Sequence, residues 1–254
     1  MVTRVTARNV RAFMMCAAVI AASGLTACQP APPPPGQDPV IIAAGAFAPE
    51  FSQEPLATRL RAEGFDVYIY VVPTPLDGIE ETAPSLATFI QGVLDSTGAT
   101  KVDIVNHSQS GLLTRHVIKY LGMANKIDTV VSLSGLHHGS ALASLPPLLG
   151  VPDCLGVEIC VQLESGSDYL TALNSPTEAI GNIHYVNIGS VADVLAVPYD
   201  NNFMYGTGDI TNVLVQSQCP LRLPGHLAMI VNGTVASGVI DGLKRQPITL
   251  DCFA

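Results

Sequence analysis

The sequence predicts an α/β fold with a mostly parallel central sheet, and three observations carry that prediction. Short β-branched and apolar runs alternate with stretches of helical periodicity along the body of the chain. One of these runs, Lys101 to Asn106, passes straight into a helical stretch with Ser108 at the junction. A hydrophobic fraction of 48% against 13% charged residues supplies one sizeable core over 254 residues and argues against disorder. Strands that alternate with amphipathic helices form βαβ units, whose sites lie outside the carboxyl ends of the strands.

The first segment stands apart from that body. Arg4, Arg8 and Arg11 precede an apolar run from Ala12 to Leu25, the layout of an export signal and too short for a comfortable membrane span. The run ends in Leu25-Thr26-Ala27-Cys28, which resembles a bacterial lipobox, with cleavage before the cysteine and lipid then carried on Cys28. An ordinary signal peptide cut near Ala27 is the alternative. Residues 1–27 are therefore expected to be a lipoprotein signal, which implies a chain held at a membrane of the bacterial cell envelope through Cys28, or secreted. Residues 28–39 include the run QPAPPPPGQDP, a proline-rich linker that forms neither helix nor sheet and acts as a semi-rigid spacer. The folded domain is expected over residues 40–254.

The whole chain carries −9, but without the three leader arginines nine basic residues face 21 acidic ones, a balance of −12. A body that acidic is a poor nucleic-acid binder. Cys154, Cys160, Cys219 and Cys252 remain in the domain, an even number in an exported chain, so two disulfides are expected. Cys154 with Cys160 would close a short loop, and Cys219 with Cys252 would tie back the tail. Three pairings are formally possible. Metal binding competes weakly, because no Cys-x-x-Cys or paired histidine spacing accompanies them.

In order, Val40–Ala44 reads as a buried strand leading into Gly45-Ala46-Phe47, and Glu54 to Glu63 as a helix with Leu56 and Leu60 inward. A phosphate loop is excluded, since no Gly-Lys-Ser/Thr follows that turn. The N–H of Ala46, just after the glycine, suits a developing oxyanion instead. Phe65 to Val72 reads as the next strand, Ile79 to Ser96 as a helix despite Pro84, and Ile127 to Ser134 as a further strand. Gly135 to Glu164 is irregular, with Leu142, Leu145, Leu148, Leu149 and Val151 forming an apolar pocket wall or simply packing inward. Asp168 to Leu173 reads as a short helix and Ile183 to Ile188 as a strand. Val213 to Gln216 reads as the last strand, and a final helix is expected to open at Gly225-His226-Leu227 and run to Leu243.

The junction at Ser108 has the geometry of a nucleophile elbow, because small residues, Asn106 and Ser110, stand two places to either side where strand and helix must approach closely. A serine hydroxyl needs a base, and the base needs a carboxylate to fix its tautomer. In this fold class the chain order is serine, acid, histidine. Asp193 follows a strand and His226 comes later, so both fit that order. Asp200 and Asp209 are fallback acids farther from the strand end. His137 and His138 are rival bases that precede the acid, whereas His107, His116 and His184 suit structural roles.

The runs VIIAAGAF, VDIVNHSQSGL, SLSGLHHGS, GSVADVL and PGHLAMI, with the stretches Cys160 to Leu163 and Tyr169 to Asn174, resemble in that order the small secreted bacterial lipases of the lipase class 2 group. The resemblance spans about Val40 to Gly242. It implies an α/β-hydrolase fold with helices on both faces of the sheet and a minimal cap. It further implies Ser108 as nucleophile, Asp193 as acid, His226 as base, and oxyanion N–H groups from Ala46 and Gln109, with no metal and no organic cofactor. His137 and His138 fall in a segment that is structural and pocket-lining in the family. Family members usually carry Gly or Ala at position 106, Gly at 110, and His-Gly or Pro-Gly in place of Ala44-Gly45. These departures predict a strained or slightly opened elbow and lowered activity. The implied function is a lipase or esterase acting on small-molecule esters or lipids. A polyester or aromatic-ester hydrolase, an acyltransferase, and a catalytically silent lipid- or partner-binding lipoprotein are the alternatives.

Overall fold

The computed structural model describes residues 37–141, 143 and 154–254. The expected signal, Cys28, most of the proline-rich linker, and Leu142, Leu145, Leu148, Leu149 and Val151 lie outside the described residues. Six parallel strands form one sheet: β1 (Val40–Ala43), β2 (Val67–Tyr70), β3 (Val102–His107), β4 (Ile127–Leu133), β5 (His184–Gly189) and β6 (Asp209–Leu214), in the order β2-β1-β3-β4-β5-β6. The central strands β1 and β3 are buried along their whole length, which explains their continuous apolar and β-branched runs.

Side chains alternate between two cores. Ile41, Ala43 and Ile104 face α2 (Ile79–Thr97) and α3 (Gln109–Tyr120), whereas Val40, Ile42 and Val105 face α1 (Glu54–Ala62) and the last helix. Helices therefore cover both faces. Two further short helices, α4 (Glu158–Gln162) and α5 (Asp168–Asn174), follow the irregular stretch. Two covalent clips are present, Cys154 to Cys160 and Cys219 to Cys252.

Three boundaries differ from the sequence reading, each for a physical reason. The expected strand Val213 to Gln216 is instead β6 at Asp209–Leu214, followed by α6 (Val215–Gln218). As an edge strand, β6 leaves Asp209 and Asn212 exposed, so its polar first half hides the strand pattern. The run Phe65 to Val72 contracts to β2, the opposite edge. The expected last helix is two elements, a 3₁₀ turn His226–Ile230 and α7 (Gly233–Leu243). Asn232 separates them, its side chain accepting from the N–H of Val235 at 3.1 Å as a helix cap. Among the described residues no helix is long and apolar enough to cross a membrane.

Candidate active site

Strand β3 ends at His107 and α3 begins at Gln109, so Ser108 alone makes the turn, with φ 57° and ψ −131°. Such a backbone costs about 1–3 kcal/mol and persists only where its surroundings impose it. Here the N–H of Ser108 donates to Leu133 O at 3.1 Å and the N–H of Gly111 donates to Ser108 O at 2.9 Å.

The close approaches of this elbow fall on glycines other than those of the usual pattern. A Cβ on Gly111 would lie 2.4 Å from Gly135 O, and one on Gly45 would lie 3.1 Å from the Cβ of Ser108. Positions 106 and 110 therefore accept larger side chains. Ser110 donates to Ala44 O at 2.5 Å, and Asn106 accepts from the Ser132 hydroxyl at 2.7 Å. The turn is not opened, since α3 starts directly after Ser108.

Asp193 sits in the loop after β5, and His226 opens the 3₁₀ turn after Gly225. The structure brings both to Ser108. The Ser108 hydroxyl donates to His226 Nε2 at 2.8 Å, and His226 Nδ1 donates to the two carboxylate oxygens of Asp193, each at 2.9 Å. All three residues are buried, with exposures of 9%, 4% and 3% for Ser108, His226 and Asp193. The N–H groups of Leu195 and Ala196 donate to Asp193 Oδ1 at 2.9 and 3.0 Å. Burial alone would raise the Asp193 carboxyl, but hydrogen bonding from His226 and the Ala196 N–H, the nearby Ser134 hydroxyl and the charge of His226 hold it down to about 2. The carboxylate thus stays ionised beside the imidazole, which fixes the Nδ1–H tautomer and leaves Nε2 free to take a proton.

The rival residues lie elsewhere. His137 is fully buried and bonded to Asn187 Oδ1 at 3.0 Å, while His138 pairs with Glu178 at 3.3 Å. Asp209 pairs with His184 at 2.9 Å, and Asp200 belongs to an exposed 3₁₀ turn. His107 has a closer part than its position suggested: its Nε2 donates to His226 O at 2.9 Å and its ring lies 4.8 Å from that of His226. Burial, and then the neighbouring His226, lowers its pKa to about 4, so it stays neutral. Sequence spacing also gave no sign of Ser134, the residue after β4, whose hydroxyl bears on the Asp193 carboxylate from far away in the chain.

Ser108 opens into a cavity of about 450 Å³ whose walls include Leu136, Val157, Ile159 and Leu163, with the disulfide-bonded Cys160 among them. Ala46 and Gln109 also line it. Gln109 is the first residue of α3, so its N–H has no acceptor within the helix. A larger cavity of about 780 Å³ is lined by Glu80, Glu158, Glu164 and Asp168, away from the serine. Asp38, Asp103 and Asp128 bring carboxylate oxygens within 4.8 Å of one another where β1, β3 and β4 begin, at the opposite end of the parallel sheet from Ser108.

Comparison with known proteins finds lipases. Residues 81–237 match the family model described as Lipase (class 2). The chain is 31% identical over 112 residues to a triacylglycerol lipase of Pseudomonas fragi, covering 44% of this chain and 37% of that protein. It is 31% identical over 86 residues to a triacylglycerol lipase of Vibrio cholerae serotype O1, covering 34% of this chain and 27% of that protein. The matched stretches thus span about a third of these curated relatives. Among solved structures, Aspergillus fumigatus lipase B superposes with a TM-score of 0.69 at 17% identity, over 86% of this chain and 54% of that one.

Proposed function

The chain belongs to the class 2 lipase family and has the α/β-hydrolase fold, and on that premise we propose that it hydrolyses carboxylic esters of apolar acids, acylglycerols among them, through a Ser108–His226–Asp193 triad. The observation that carries this reading is the unbroken hydrogen-bond chain from the Ser108 hydroxyl through His226 to Asp193, on a strained elbow at the wall of an apolar cavity.

His226 Nε2 takes the Ser108 proton as Oγ bonds to the ester carbonyl carbon, and the imidazolium that forms is steadied by the ionised Asp193. The carbonyl π electrons move onto oxygen, and the N–H groups of Ala46 and Gln109 receive that oxyanion. One such donor typically contributes about 3 kcal/mol to the transition state. Collapse of the tetrahedral adduct expels the alcohol, which takes the proton from Nε2 and leaves an acyl-Ser108. Water, deprotonated by the same nitrogen, then releases the acid.

The surroundings favour apolar esters. Phe47 and Leu227 line the cavity while remaining 70% and 75% exposed, and Leu76 and Leu195 are exposed beside them. Triacylglycerol, for which the two bacterial relatives are named, is of that class.

A fluorophosphonate probe tests the proposal, since it bonds only to an activated serine. It is expected to label the folded protein at Ser108, and Ser108→Ala is expected to remove both labelling and esterase activity, the latter by at least about ten-thousand-fold. Absence of labelling on folded protein would end the hydrolase reading. We propose in addition that the chain is exported and anchored through acylated Cys28, on the strength of Leu25-Thr26-Ala27-Cys28 alone. Mass spectrometry of the mature N-terminus checks this: a chain beginning at an unmodified residue other than 28 overturns it.

A further inference from the structure

Ser134 directly follows β4, at a place where the backbone is left-handed, with φ 51°. A side chain there is strained, and glycine would carry none of that strain. The residue is 0% exposed, so the hydroxyl is not kept for solvent. That hydroxyl makes no hydrogen bond of full geometry among the described residues, although a buried hydroxyl ordinarily demands one. The Ser134 N–H donates to Ile188 O at 3.1 Å and the N–H of Asp193 donates to Ser190 O at 3.1 Å, so Ser134 lies beside the loop that leaves β5 for Asp193, and its hydroxyl bears on that carboxylate. That carboxylate is unevenly supported: Oδ1 accepts from two backbone N–H groups and from His226, whereas the hydrogen bonds of the described residues give Oδ2 only His226. A strained, buried and underused donor beside an undersupplied acceptor is costly for the fold and favours a role in the reaction.

We propose that Ser134 is a positioning residue of the ester hydrolase: its hydroxyl donates to the Asp193 carboxylate as His226 becomes cationic, and keeps the carboxylate turned toward the ring. The inference rests on the triad reading above. No proton leaves Ser134 in this role. The hydroxyl rotates to supply a second donor when the carboxylate must hold its charge against a fully protonated imidazole, and His107, held neutral with its ring 4.8 Å from that of His226, does not compete for that charge.

Two variants test it, Ser134→Ala and Ser134→Gly. Both remove a hydroxyl without full pairing, and the second also relieves the left-handed strain, so melting temperatures at or above the wild-type value are expected. Loss of a hydrogen bond to a charged group nevertheless predicts a fall in kcat of about tenfold with KM unchanged, and an acid limb of the pH–rate profile displaced from that of the wild type. A merely structural Ser134 would move stability and leave the pH profile where it was. The low-field proton resonance of His226 Nδ1–H gives a readout that needs no turnover, and it is expected to shift or broaden in both variants. Unchanged kcat and pH profile, or an unchanged resonance, overturns the positioning role. Failure of the wild type to react with the fluorophosphonate would instead fault the hydrolase reading, and the resonance would still decide whether Ser134 holds Asp193.

Discussion

At the scale of single residues, the elbow shows that a motif encodes clearances and not residue names. The usual glycines at 106 and 110 are absent, yet the backbone contact that demands a missing side chain has moved one place on, to Gly111 against Gly135. Gly111→Ala is therefore expected to destabilise the protein. Alanine improves a helix interior by about 1 kcal/mol, but overpacking against a fixed carbonyl typically costs about 1–3 kcal/mol, and at 2.4 Å the second effect wins. Gly92→Ala in α2 is the internal control. Nothing lies within 4 Å of that added methyl, so only the helical gain remains and the melting temperature should rise. Equal shifts for the two variants would contradict the close-contact account. Restoring the family's usual residue with Ser110→Gly should also destabilise, by about 1–2 kcal/mol, because it deletes the bond to Ala44 O and places glycine in a helix. That Ser108, Asp193 and His226 meet was legible in the sequence, because each stands at a strand end or beyond one in the order serine, acid, histidine. Ser134 was not legible: its partner is set by which strands lie side by side, and no local pattern reports that adjacency.

At the scale of elements, the sequence reported buried strands better than edges. Strands β1, β3 and β4 announce themselves because both faces need apolar side chains, whereas the edge strand β6 opens on exposed Asp209 and leaves Asn212 exposed, so only its apolar end at Val213 and Leu214 signals a strand. The two disulfides act on elements of different consequence. Chain-entropy reasoning gives about 4 kcal/mol for the clip across 33 residues and about 2 kcal/mol for the one across six. Cys219 to Cys252 also restrains the segment that leads from α6 to His226. Replacing both its cysteines by alanine is expected to lower melting temperature and kcat together. Replacing Cys154 and Cys160 should cost less stability but change the wall of the ester cavity, so the effect is expected in KM and in the preferred acyl-chain length. Thermal melts alongside rates on short and long acyl esters separate the two. The expectation fails if the short clip proves the more stabilising or leaves chain-length preference untouched.

At the scale of the whole molecule, the parallel sheet has two chemically opposite ends. The carboxyl ends hold the triad, where Asp193 is pulled down to about 2, and the amino ends hold Asp38, Asp103 and Asp128 together. Burial, reinforced by Asp38 and Asp128, raises the Asp103 carboxyl to about 8. Burial, then Asp128, also raises Asp38, whereas Asp128 is lowered, because hydrogen bonds from Lys101 and Arg245 outweigh the burial that would raise it. The linkage signs are therefore opposed. A carboxyl raised in the folded state binds its proton more tightly there than in the unfolded chain, so its contribution is complete below about pH 4 and is lost as pH climbs toward 8. The Asp193 contribution is present above about pH 4 and disappears only as pH falls through about 2. From about pH 6.5 to 8 the Asp103 proton lowers stability with rising pH by no more than about 1.4 kcal/mol per unit, whereas below about pH 6.5 the buried neutral His107 and His137, which hold a proton less tightly folded than unfolded, oppose it. Asp103→Asn isolates it: the amide oxygen still accepts from the N–H of Thr129, as Asp103 Oδ1 does at 3.0 Å, but it cannot ionise. The variant should match the wild type near pH 5, exceed it in melting temperature at pH 8, and show a flatter dependence between. A parallel pair of curves would mean that Asp103 is already ionised at pH 5, and that Lys101 and Arg245 neutralise the whole cluster and not Asp128 alone.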